Sequence, residues 1–122
     1  PCTSAAELDA AARAGKAAAF LSVEGAELLP DREDALQIAY DAGVRMIAPV
    51  WNRCSRFGCP AAVDQEQGLT GTGRRLVQDC AARGIIVDGC HLSEKGFWEV
   101  CEAIDQPFTA SHSNARGLCR AI

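Results

Sequence analysis

Nowhere in this chain of 122 residues does an apolar stretch reach the roughly 18 residues that a membrane span needs; Lys16, Glu24 and Asp88 break the longest ones. No cluster of Lys or Arg exceeds the pair Arg74-Arg75, and the formal net charge is −4, so the basic footprint of a nucleic-acid or anionic-membrane binder is missing. The opening Pro1-Cys2-Thr3-Ser4 has no initiator Met, basic n-region or apolar h-region, so no targeting signal is visible, and a piece of something longer is the expectation. Low-complexity tracts and linkers are absent as well. Histidine is scarce, with two in the whole chain. What is there, 48% hydrophobic and 23% charged residues, suits a soluble chain with one modest core. The expectation is a single domain over residues 1–122, or part of one, with a small molecule as partner.

Two periodicities alternate along the chain. Leu8, Ala11 and Ala12 predict a helix from Glu7 to Gly15, with Ser4 as N-cap and Glu7 three residues on as a capping box. Ala17 to Val23 is almost continuously apolar, as in a parallel strand buried on both faces, and Glu24 ends it. A helix across Asp31 to Ala42 closes at Gly43, and a second apolar run covers Val44 to Trp51. Asn52 to Thr72 reads as a long irregular loop, a length that in compact domains is usually functional. Helical spacing returns from Gly73 to Arg83, with Gly84 as terminator. Ile85-Ile86-Val87 then forms a third strand leading to Asp88-Gly89-Cys90-His91. Ser93 caps a further helix through Cys101, and Pro107 to Ala110 makes a fourth strand ending at Ser111-His112. The closing stretch Asn114 to Ile122 reads as helical. Four strand-then-helix units imply parallel strands with right-handed crossovers, so the fold class is α/β. A complete (β/α)8 barrel has eight such units in about 250 residues; this chain has about half of one.

In such barrels the C-terminal strand ends converge on a shared mouth where active sites are built. Three predicted strand ends here carry Glu24, His91 and His112, and a carboxylate with two imidazoles suits a divalent metal of the zinc, manganese or iron type. The chemistry this set supports is metal-assisted hydrolysis. The bland alternative is that each histidine is an ordinary loop or core residue, and the wide spacing of the three matches no short zinc motif. Asp88, three residues before His91, either orients it from behind or bonds the backbone. Trp51 and Asn52 stand where they can line a substrate pocket, although Trp51 also suits plain core packing. Strand alternation turns Cys90 away from His91, as a buried structural thiol. The seven cysteines, odd in number and scattered through apolar segments, predict mostly free and buried thiols. The Cys54-x4-Cys59 spacing is the one that suits zinc or a disulfide, and no second Cys or His pair lies near it.

Several separated segments resemble, in order, those of the peptidase M19 family, the membrane (renal) dipeptidases. They are Val23-Glu24-Gly25-Ala26, Leu36, Tyr40, Gly43-Val44-Arg45, Gly68-Leu69-Thr70, Val87 to Trp98, and Ala110 to Arg116. The resemblance covers nearly the whole chain. It implies a (β/α)8 barrel with two zinc ions that hydrolyses dipeptides, including dehydrodipeptides and some with a D-residue on the C-terminal side. By position, Glu24 matches the carboxylate bridging the two metals, and His91 and His112 match the histidines of the second metal. In that picture the metals make hydroxide from a shared water and polarise the scissile carbonyl.

The departures are also informative. The family's first metal uses a His-x-Asp pair, and this sequence has none. Trp51 stands where mammalian members carry a substrate-contacting histidine, and Cys90 where serine is usual. The arginine that holds the substrate carboxylate and the acidic residue that grips its amine would both fall beyond Ile122. A truncated, inactive relative acting as a metal-binding or interaction module is therefore the alternative to a zinc dipeptidase segment. A different metal-dependent barrel hydrolase, of the amidohydrolase type, fits less well, because no His-x-His strand is present. Half a barrel leaves two open sheet edges, which predicts a homodimer or association with the rest of the barrel. Microbial relatives without a signal are cytoplasmic, and that location is the expectation here.

Overall fold

A computed structural model describes residues 1–115, 117 and 118. Its order is α1 (Ala5–Arg13), β1 (Leu21–Glu24), a 3-10 turn (Ala26–Leu28), α2 (Ala35–Asp41), β2 (Val44–Ala48), α3 (Gly71–Ala82), β3 (Ile86–Val87) and α4 (Glu94–Ala103). The three strands form one parallel sheet in the order β1-β2-β3, so all three C-termini lie at the same edge.

The helices begin where side-chain oxygens satisfy their first free amides. Ser4 accepts from the Glu7 amide, Thr70 from Gly73 and Ser93 from Gly96. Around Ser4 the box is shifted by one residue, because the Glu7 carboxylate reaches the Thr3 amide at 2.6 Å. Gly43 and Gly84 follow α2 and α3 with φ of 97° and 70°, the left-handed turn that ends a helix cheaply only at glycine.

The core lies between the sheet and the helices that follow its strands. Ile47, Val50, Val77, Val87 and Val100 are each no more than 1% exposed, and α3 packs against both α4 and β3. The loop of residues 52–70 is pinned to this core. Phe57 is buried, the Thr70 amide donates to the Phe57 carbonyl, the Leu69 amide to Glu99 Oε2 at 2.6 Å and the Ser93 hydroxyl to the Gln67 carbonyl at 2.9 Å.

Three expectations change, and a fourth falls mostly outside the described residues. The apolar run Ala17–Val23 yields a strand only from Leu21, and Leu21 is 42% exposed. Among the described residues β1 pairs with β2 alone, so it is an edge strand, and with only Val23 of its four side chains partly buried it is not covered on both faces. The fourth strand is parallel as expected but shrinks to a single bridge between Asp88 and Thr109. Pro107 brings no N–H to a ladder, and the pairing consists of Thr109 N–H to the Val87 carbonyl and Gly89 N–H to the Thr109 carbonyl. The helix expected over Asn114–Ile122 lies largely outside the described residues; within them the Leu118 amide closes a turn on the Ala115 carbonyl. Finally, Cys54 and Cys59 form a disulfide. Ser55 and Gly58 pair across a tight antiparallel turn, which sets positions 54 and 59 side by side with Cα atoms 4.1 Å apart. Cys2, Cys80, Cys90 and Cys101 are free, of which Cys80 and Cys90 are buried and Cys101 is exposed. Cys119 lies outside the described residues.

Candidate metal centre

Glu24 is the last residue of β1, His91 lies four residues beyond β3, and His112 follows the Thr109 bridge by three. Parallel pairing delivers all three to one edge. Glu24 Oε1 stands 2.8 Å from His91 Nε2 and 3.2 Å from His112 Nε2, and the two Nε2 atoms are 2.9 Å apart. Ligand atoms around a tetrahedral zinc with bonds of about 2.0–2.2 Å sit about 3.3 Å from one another. The donor set therefore fits one divalent cation in chemistry and in spacing. The side chains of Glu24 and His112 are about half exposed and that of His91 is 22% exposed, so the edge is reachable from solvent. His91 holds its place with φ of 67°, in the left-handed region.

Behind this edge lies Asp88, 3% exposed. Its Oδ1 accepts from the amides of Cys90 and Ser111, both at 3.1 Å, and its Oδ2 from the Ser111 hydroxyl at 2.6 Å. Burial pushes its pKa up. The hydrogen bonds from the Ser111 hydroxyl and from the two amides outweigh that and hold the carboxyl below the usual range. Of the two sequence readings of Asp88, the backbone contact is present, and the link to a histidine runs through Ser111 Oγ to His112 Nδ1 at 2.8 Å instead of to His91. Ser111 is the residue that sequence reasoning passed over. Its signal was its place directly before His112 at a strand end.

Asp88, Cys90 and His112 also cluster closely enough to hold an ion. Asp88 is already committed to three donors, and Cys90 Sγ accepts the His112 amide at 2.9 Å and touches Ser113 Oγ at 3.4 Å. That cluster is a hydrogen-bonded support and Cys90 a buried thiol within it.

Two hollows flank the centre. Trp51, 44% exposed, walls one of ≈ 370 Å³ with Val23, Glu24, Leu28 and Leu29; it is not core. A larger one of ≈ 560 Å³ is lined by His91, His112, Pro60, Phe97, Trp98 and Asn114 among others. Asn52 is exposed in its loop and lines neither. Among the described residues no helix is long and apolar enough to cross a membrane.

The chain has counterparts in known proteins. A metallo peptidase from Rhodobacter sphaeroides, solved with a phosphinate mimic of the dipeptide L-Ala-D-Ala, superimposes with a TM-score of 0.86 at 36% identity, over 95% of this chain and 35% of that one. An amidohydrolase from Pseudomonas aeruginosa gives 0.88 at 25% identity, over 97% and 36%. In sequence, an uncharacterised protein from the PQQ-III 3′ region of Acinetobacter calcoaceticus is 38% identical across 97% of this chain and 39% of its own length. The dipeptidase tcpJ of Claviceps purpurea is 31% identical across 87% and 25%. The chain thus spans well under half the length of these relatives. The family description "Membrane dipeptidase (Peptidase family M19)" matches residues 1–121, and the chain belongs to that family.

Proposed function

We propose that residues 1–122 form a single partial (β/α) barrel domain, about half of a (β/α)8 barrel, and supply metal ligands to a zinc-dependent dipeptidase. The observation that supports this is the convergence of Glu24 Oε1 with the Nε2 atoms of His91 and His112 in a chain of a dipeptidase family. Those three side chains would hold one zinc. The second carboxylate oxygen of Glu24 suits a bridge to another zinc, whose His-x-Asp ligands this sequence does not contain. When bound, such metals acidify water and polarise a carbonyl. The protein's share is positional. Asp88 and Ser111 brace one ligand, while Trp51, which shares a hollow with Glu24, borders the approach as a substrate-binding residue.

The substrate class is a dipeptide, including one with a D-residue at its C-terminal side, in keeping with the L-Ala-D-Ala mimic held by the Rhodobacter sphaeroides peptidase. The exposed edge of β1 calls for a covering partner, either a second copy or the remaining barrel strands, and we place the protein in the cytoplasm. Sedimentation showing a compact monomer of these 122 residues at micromolar concentration would remove the partner.

The test is zinc content and turnover of Ala-D-Ala by the full-length protein, with Glu24→Gln as control. Two zinc equivalents and turnover that fall together in Glu24→Gln are expected. One weakly held equivalent without turnover supports a non-catalytic, metal-binding relative, and neither zinc nor turnover ends the enzyme reading.

A further inference from the structure

We infer that Asp88 and Ser111 act as a pair of positioning residues that fix which nitrogen of His112 carries the proton, and so present His112 Nε2 as a lone pair toward Glu24 and His91. The inference rests on the proposed role of His112 as a metal ligand and extends it to residues outside the ligand set.

Counting protons along the hydrogen bonds gives the direction. A serine hydroxyl has one hydrogen to donate. An ionised carboxylate has none, so in the 2.6 Å contact between Ser111 Oγ and Asp88 Oδ2 the hydrogen belongs to serine. Toward His112 Nδ1, 2.8 Å away, the same oxygen can then only accept. Nδ1 must therefore be the protonated nitrogen. The neutral ring leaves Nε2 bare, and Nε2 is the atom that lies 2.9 Å from His91 Nε2 and 3.2 Å from Glu24 Oε1. The carboxylate that starts the chain is 3% exposed and anchored by two backbone amides, so its oxygens cannot swing away. Cys90 Sγ accepts the His112 amide and steadies the backbone at the end of the same chain. Outer partners of this kind orient the ring and raise the basicity of the ligating nitrogen.

The test uses the full-length protein in two measurements. Imidazole ¹⁵N shifts, recorded without metal at a pH where the ring is neutral, should report His112 protonated on Nδ1. In Ser111→Ala that preference should give way to a mixture of both tautomers. Zinc titration against a competing chelator should show affinity about 10- to 100-fold lower in Ser111→Ala, with Ser111→Thr, which keeps a hydroxyl, close to wild type. Ser111 lies near the surface, so the alanine variant should fold; circular dichroism of the variants checks this. An Nε2-protonated His112 in the wild type, or an unchanged tautomer and unchanged affinity in Ser111→Ala, overturns the relay. A wild type that shows the Nδ1 tautomer but binds no zinc leaves the relay standing and removes the dipeptidase reading, so the two failures are distinguishable.

Discussion

His91 and His112 face each other through their Nε2 atoms at 2.9 Å although 21 positions separate them in sequence. Two neutral imidazoles can satisfy that contact only if one of them donates a proton, and Glu24 Oε1 stands within 3.2 Å of both. A single cation satisfies all three lone pairs at once. This is why three solvent-reachable polar groups at one sheet edge carry more information than their individual identities.

Replacing Glu24 by Gln keeps the size of the side chain and removes its charge. The expected outcome in the full-length protein is a loss of zinc affinity larger than the roughly 10- to 100-fold typical of an outer-shell partner, with hydrolysis lost in parallel. Isothermal titration with zinc is the measurement, and wild-type affinity in the variant would remove Glu24 from the ligand set.

Gly73 tests the seat of the 52–70 loop. It lies in the first turn of α3, where alanine would gain about 1 kcal/mol in helix propensity. A Cβ there would fall 1.8 Å from the Phe57 carbonyl oxygen, which already accepts the Thr70 amide. Backbone must move to relieve that overlap, at a cost of about 1–3 kcal/mol or more. Gly73→Ala should therefore lower the urea midpoint, and a raised midpoint would show that the loop yields freely.

Cysteine reactivity should divide by burial. Burial, with the charge of Asp79 added to it, pushes the Cys80 thiol up to about 12, so at pH 8 almost no thiolate is present. Cys101 is exposed. Iodoacetamide at pH 8 followed by peptide mass mapping should label Cys101 in native protein and Cys80 only after denaturation. Equal labelling rates in the native state would contradict the packing of α3.

Asp88 predicts an acid limb. Its folded pKa is lowered, so as pH falls the unfolded chain takes up the proton first. The stabilisation is complete above the ordinary aspartate value of about 3.9 and is lost as pH drops below it, through the folded value. Asp88→Asn should be less stable than wild type at pH 7, and the gap should narrow as pH falls below about 4. Denaturation midpoints that run parallel across that range would assign the limb to other carboxylates.

Much of this architecture could be read from the residues because it depends on local chemistry. Ser4, Thr70 and Ser93 are helix caps by their side-chain oxygens, and Thr70 alone is hidden in the sequence, where helical spacing starts only at Gly73. Glu24, His91 and His112 could be placed together once the strand ends were located, since parallel pairing decides which ends share an edge. What the chain did not reveal depends on neighbours in space. The exposure of Leu21 depends on what packs over the faces of β1, and an apolar run does not state which of its faces are covered. The Cys54–Cys59 bond needed the turn between Ser55 and Gly58. Ser111 became meaningful only when Asp88, 23 positions earlier, was seen to receive its hydroxyl.

The left-handed backbone at His91 has an evolutionary corollary. At φ of 67° a side chain costs of order 1–2 kcal/mol relative to glycine, and asparagine, aspartate and histidine itself bear that strain better than most residues. If His91 serves the proposed hydrolysis, drift at this position in a lineage that has lost it should run toward Gly or Asn, because the bend persists without a need for the imidazole. His91→Gly should consequently be more stable to urea than His91→Ala, reversing the usual order of those two residues, and a lineage with glycine there would carry the mark of a retired enzyme.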